Sequence, residues 1–169
     1  MRITETHAKD ALWGYIERYS AQTVGYMADP KDGGDYRCFA ALGPHDEFVG
    51  LAIVELGRLG FGPLADQLVG CLENILVLEP YRRQGIGTAL LQRILRTAWE
   101  SQARHVWWTV EYDNAAAIGL YQRIGAVFIA EEDPEAEKPE RYYTVVVPNR
   151  SLSKQPKALG PRGRASFTR

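Results

Sequence analysis

The chain has little of several things, and each shortage closes off a class of function. Its 169 residues include only two cysteines, Cys38 and Cys71. Two thiols cannot build the disulfide framework of a small secreted scaffold, so a reducing cytoplasm is the expected compartment. Three histidines, His7, His45 and His105, are scattered, with no cysteine or carboxylate at ligand spacing. No structural metal is expected, because zinc needs clustered donors. No apolar run reaches the ~20 residues of a membrane-spanning helix. The opening text MRITETHAKD lacks the apolar core of a signal peptide. The dinucleotide fingerprint G-x-G-x-x-G is incomplete, and no Lys follows the glycines as a nucleoside-triphosphate loop requires.

What is present is ordinary for a globular protein: 46% hydrophobic and 24% charged residues, in a length that suits one domain with a real core. Charge is unevenly spread. Residues 149–169 carry six Lys or Arg and no acid, which leaves 14 basic and 21 acidic residues in 1–148. That C-terminal stretch is rich in Ser, Pro and Gly, and reads as a disordered basic tail behind a folded domain of residues 1–148. A nucleic-acid partner is not expected, since Phe167 is the only aromatic among those basic residues.

The periodicities predict a strand over 2–6, an amphipathic helix over 8–21 and a loop over 23–35. A hairpin over 36–42 and 47–56 follows, then an irregular covering stretch over 59–69. A strand over 71–78 leads into a glycine-containing turn and a helix running to about residue 102. Next come a strand over 105–112, a helix over 115–123, and strands over 127–131 and 142–148 with an acidic loop between them. The order predicts an α/β fold with a mixed sheet and helices on its faces.

The turn is the strongest signal. The apolar run Ile75-Leu76-Val77-Leu78 precedes Arg82-Arg83-Gln84-Gly85-Ile86-Gly87-Thr88, and Ile86, Leu90, Ile94 and Ala98 recur at helical spacing after it. A strand–turn–helix of this kind aims several backbone N–H groups at one point, where the helix dipole adds positive potential. That is an anion site suited to a phosphate or pyrophosphate. A second block, DNAAAIGLYQRIGAVF, places Asn114 as a helix cap and stops the helix at Gly125.

The two blocks, R-x-x-G-x-G on the turn and N-x-x-A-x-x-x-Y-x-x-x-G through Asn114, Ala117, Tyr121 and Gly125, resemble the signatures of the GNAT family of N-acetyltransferases. The resemblance spans nearly all of residues 1–148 and implies the acyl-CoA N-acyltransferase fold, with a mostly antiparallel sheet. It implies acetyl-CoA as cosubstrate. Arg82, Arg83, Gln84, Gly85, Ile86, Gly87 and Thr88 would hold the pyrophosphate. The strand end Ile75, Leu76 and Val77 would pair with the pantetheine amides like an added strand. Asn114, the following Ala115 to Ala117, and Tyr121 would line the other side. The text CLENILV, with Glu73, is similar to the spermidine/spermine acetyltransferase branch. Glu79-Pro80-Tyr81-Arg82-Arg83 also resembles protein N-terminal acetyltransferases.

The resemblance makes Tyr121 the proton donor to a departing thiolate and Glu73 the base for the acceptor amine, with Glu111 in reserve. A Lys-like amine of pKa about 10.4 costs roughly 4.6 kcal/mol to deprotonate at pH 7, and a peptide α-amine of pKa about 8 only about 1.4 kcal/mol. A carboxylate at the acceptor therefore matters most for alkylamines. With the acidic body of the chain it leans toward a small cationic amine. The alternatives are acetylation of a protein N-terminus or lysine, and a non-catalytic acyl-CoA-binding module. Homodimerisation stays open.

Overall fold

The computed structural model describes residues 1–7, 10–21, 24–25, 34–58, 64, 67–131 and 140–146. Among these, seven strands form one sheet in the order β1-β2-β3-β4-β5-β7-β6. The strands are β1 (Arg2–Thr6), β2 (Asp35–Leu42), β3 (Phe48–Gly57), β4 (Val69–Val77), β5 (His105–Glu111), β6 (Val127–Glu131) and β7 (Glu140–Val146). Three α-helices accompany them: α1 (Trp13–Tyr19), α2 (Ile86–Glu100) and α3 (Ala115–Arg123). A single 3₁₀ turn, Glu79–Tyr81, connects β4 to the approach of α2.

The predicted mixed α/β architecture is what forms. Every neighbouring pair in the sheet is antiparallel except β4 with β5. Helix α3 has the predicted bounds, and α2 ends two residues short of expectation. The first helix is shorter than expected: residues 10–12 form turns and α1 begins only at Trp13. The Asp10 carboxylate explains part of this. It accepts from the His7 backbone N–H at 2.7 Å, which serves a local turn instead of a helix interior. Most of the predicted loops 23–35, 59–69 and 131–140, and the whole tail 149–169, lie outside the described residues.

Two cores sandwich the sheet. On one face α2 and α3 bury Leu90, Leu91, Ile94, Tyr121 and Ile124 against Phe39, Val54, Leu72 and Trp108. On the other, Ile16 of α1 packs on Cys38, Ala40, Phe48, Leu51 and Ile53. Strand β3 is buried along nearly its whole length because both layers cover it.

Strand β4 decides where the site lies. Its register against β3 steps from Asn74 opposite Ile53 to Leu72 opposite Val54, so Glu73 is an unpaired extra residue, a β-bulge. The bulge breaks the alternation of faces. Leu72, Ile75 and Val77 all join the α2/α3 core, although a regular strand would send Leu72 and Ile75 to opposite faces. On its other edge β4 pairs with β5 only through Val69, Gly70 and Cys71. Beyond Cys71 the two strands have no ladder, and the sheet is split.

Candidate active site

The split exposes backbone. Leu78 N–H donates to the Val49 carbonyl at 2.9 Å, which makes that a hydrogen-bonded pair in the antiparallel ladder. Alternate residues of a strand turn their polar groups to opposite edges, so Val77 and Ile75 present N–H and C=O to the open side. The Val77 carbonyl accepts from Arg82 Nε at 3.1 Å. Among the described residues nothing pairs with Ile75 on that side, which leaves both its groups to an extended ligand.

The turn follows directly. Gly85 caps α2 with φ of +83° and no capping side chain, and the first intrahelical bond is Ala89 N–H to the Gly85 carbonyl at 3.0 Å. The N–H groups at the start of α2 therefore have no helical acceptor and face outward with the positive end of the dipole. A Cβ on Gly85 would point into open space, whereas one on Gly87 would sit 3.1 Å from Leu120 Cδ2. Gly85 thus serves the left-handed backbone and leaves room for a ligand. Gly87 also lets α3 approach α2. Arg83 shares the left-handed region, with φ of 65°.

These parts enclose a cavity of about 630 Å³ lined by Ile75, Leu76, Val77, Arg82, Arg83, Gly85, Ile86, Gly87, Thr88, Asn114 and Ala117, all expected from the sequence. Ala116, inside the expected 115–117 stretch, lines it too, and Tyr81, Leu120 and Arg123 complete it without a signal in the sequence. Gln84 does not line it. Its side-chain amide donates to the Pro80 carbonyl at 3.3 Å and braces the turn. On α3 the lining residues Asn114, Ala117, Leu120 and Arg123 recur every three residues, so one stripe of the helix faces the groove. The stripe was legible in its spacing once α3 was assigned.

A second cavity of about 260 Å³ adjoins the first through the shared residues Ile75 and Asn114. Glu73 and Tyr121 line it, together with Leu72, Asn74, Thr109, Val110, Glu111 and Glu140. The structure therefore brings both expected catalytic residues to one chamber and adds the reserve carboxylate Glu111. Glu140 is a third acid, and it comes from the end of the predicted acidic loop. Asn74 is held by a 2.8 Å bond from its Nδ2 to Ser20 Oγ, which ties the bulged strand to the end of α1.

The environment sets the chemistry of each group. Tyr121 is 4% exposed, and its ring packs on Trp108 with centroids 4.5 Å apart. Burial pushes its hydroxyl up to about 12, so it holds its proton at any working pH. The Cys71 thiol is also pushed up, mainly by burial and further by the neighbouring Glu73 carboxylate. It stays neutral and is no nucleophile. Asn114 uses its side-chain oxygen to cap α3, accepting from Ala117 N–H at 3.1 Å. Among the described residues no three His, Cys, Asp or Glu side chains converge as a metal would require. No helix among them is long and apolar enough to cross a membrane.

The groove fits acetyl-CoA on these grounds: an open strand edge for amides, outward N–H groups for a pyrophosphate, and a joined chamber at the far end. A split sheet with a phosphate turn at its mouth is the acyl-CoA N-acyltransferase architecture. A structure of Arabidopsis thaliana NAA60 in complex with acetyl-CoA superposes with a TM-score of 0.67, at 17% identity over 86% of this chain and 98% of that one. The sequence profile of the Acetyltransferase (GNAT) family matches residues 5–126, and the chain belongs to that family. It is similar to an N-alpha-acetyltransferase of Sulfurisphaera tokodaii, 46% identical over 33% of this chain and 34% of the relative. It is also similar to the streptothricin acetyltransferase of Streptomyces lavendulae, 32% identical over 60% of this chain and 52% of the relative. The chain thus spans only about a third to a half of these curated relatives. The local resemblance of CLENILV to the spermidine/spermine branch is not borne out. Strand β4 and its bulge account for those residues.

Proposed function

We propose that the protein is an N-acetyltransferase that uses acetyl-CoA to acetylate a primary amine, with a small cationic amine as the preferred acceptor. The observation that carries the reading is the joining of the two cavities at Ile75 and Asn114, one built for an anionic coenzyme and the other lined by three carboxylates. The coenzyme supplies an activated acetyl thioester. The protein's residues do the rest by direct attack in a ternary complex.

The Ile75 N–H on the open edge of β4 donates to the acyl oxygen as negative charge develops there. Glu73, projected by the bulge, takes the proton of the attacking ammonium group, directly or through one water. Glu111 and Glu140 raise the local concentration of cationic acceptors. Tyr121 donates a hydrogen bond to the departing sulfur. With the hydroxyl near 12 and a free thiol near 8.5, complete proton transfer from tyrosine to sulfur is uphill by roughly 5 kcal/mol. Tyr121 therefore stabilises the developing thiolate, and the net proton comes from the attacking amine.

The relatives act, by name, on protein α-amines and on an antibiotic. The acidic chamber favours the small-molecule side of that division. Two buried free thiols suit a cytoplasmic setting. The test is amine-dependent thiol release from acetyl-CoA across diamines, aminoglycosides, streptothricin-type antibiotics, amino acids and short peptides. Highest kcat/KM with an alkylamine of net positive charge supports the reading. Preference for neutral peptide N-termini would move it to the protein-acetylating alternative. Coenzyme binding without turnover on any amine would leave a binding module.

A further inference from the structure

Three arginines line the coenzyme groove, and they are not equivalent. Arg82 is committed to the Val77 carbonyl and locks the turn to the end of β4. Arg83 belongs to the turn itself, whose left-handed backbone at Arg83 and Gly85 forms the anion cradle. Arg123 comes from the opposite wall, on the last turn of α3. Nothing in the family's two signatures calls for it.

Arg123 lines the groove, and two neighbouring positions show where it stands. Leu120, one turn earlier on the same stripe, packs so close to Gly87 that a Cβ there would lie 3.1 Å away. Arg123 therefore stands beside the phosphate turn. Its Nη1 lies back over Gly119, where an added Cβ would approach to 3.6 Å, so the guanidinium follows the helix surface. The side chain is exposed, and among the described residues it has no ion pair.

We propose that Arg123 selects a coenzyme bearing a phosphate monoester beyond its pyrophosphate, the 3′-phosphate of coenzyme A. The proposal rests on the acetyl-CoA reading above. The turn's N–H groups and the α2 dipole already serve the pyrophosphate. A phosphate monoester carries about −1.5 to −2 charge at pH 7 and needs a separate partner. A planar guanidinium is matched to it by paired N–H donors, which an ammonium group does not offer. The bland role, a cation near a helix C-terminus, involves no ligand at all.

The experiment is calorimetric binding of CoA and of dephospho-CoA, which lacks only that phosphate, to the full chain and to Arg123→Gln and Arg123→Lys. The wild type is expected to prefer CoA by about tenfold or more. Arg123→Gln brings the ratio near one by weakening CoA alone, and Arg123→Lys keeps part of the preference. Melting temperatures without ligand stay level. If wild type binds both ligands equally, or Arg123→Gln weakens both alike, Arg123 has no such role, while the coenzyme reading stands. If wild type binds neither, the coenzyme reading falls and takes this role with it.

Discussion

Glu111 and Glu140 stand directly opposite each other on β5 and β7, and both line the smaller cavity. Like charges facing across an antiparallel pair are destabilising. Among the described residues neither has an ion-pair partner. A cationic acceptor between them would relieve the repulsion. Glu140→Gln should therefore raise the melting temperature slightly while lowering kcat/KM for cationic amines severalfold. The kinetic loss should shrink at high salt, where the attraction is screened. A thermal melt and steady-state kinetics at two ionic strengths read both signs. Unchanged kcat/KM at low salt would remove Glu140 from the acceptor site.

Gly85→Val forces a β-branched residue to φ of +83° and puts a side chain where the ligand is expected. Coenzyme binding should weaken at least tenfold, about 1.4 kcal/mol by calorimetry. Asn tolerates the left-handed region far better than Val. Gly85→Asn should fold with nearly wild-type stability yet still bind poorly. If it binds normally, the backbone conformation is the whole role of Gly85.

Tyr121→Phe keeps the ring against Trp108 and removes only the hydroxyl. The variant should fold normally, bind acetyl-CoA normally and lose kcat by about 10–100-fold, less than the ~10²–10⁴-fold of groups that transfer the proton, because Tyr121 only stabilises the developing thiolate. The buried hydroxyl also predicts an alkaline signature. Its pKa is raised from 10 to about 12, so the folded state holds this proton more tightly than the unfolded chain. Its contribution to stability is complete below pH 10 and is lost as pH rises toward about 12. Wild type should therefore lose up to roughly 3 kcal/mol more than Tyr121→Phe across that window. Chemical denaturation of both proteins across that pH range measures it. Parallel curves would mean that the hydroxyl is solvated.

Asn114 links both cavities and caps α3. Asn114→Ala should cost about 1 kcal/mol of stability. Asn114→Asp retains the capping oxygen and should recover that stability but not the coenzyme affinity, since its carboxylate has no amide donor. Denaturation together with calorimetry separates the two roles.

The parts of the site that read from sequence are those made by local chain. The turn Arg82–Thr88 and the cap at Asn114 announce themselves through glycines and capping chemistry within a few residues. The whole of α3 follows from its spacing and from Gly125. The parts that did not read depend on pairing. Glu73 could be nominated by resemblance, but its bulge exists only in register against β3, and no residue type marks it. Glu140 reaches the site because β7 inserts between β5 and β6, so its partner Glu111 lies far away in sequence. Arg123 enters the groove because Leu120 and Gly87 meet, a contact between helices that no local spacing marks. The first helix starts later than its apolar spacing predicts, because Asp10 holds the chain before Trp13 in a turn.

In the proposed reaction Glu73 is the base, and it lines the smaller cavity beside the junction residues Ile75 and Asn114. The most direct measurement is the pH dependence of kcat/KM for amine-dependent thiol release, wild type against Glu73→Gln, with an alkylamine acceptor. The predicted result is a loss of at least about tenfold near pH 7 that narrows as pH approaches the amine's own pKa, where free amine no longer needs a base. A Glu73→Gln profile that overlies wild type at every pH would contradict it.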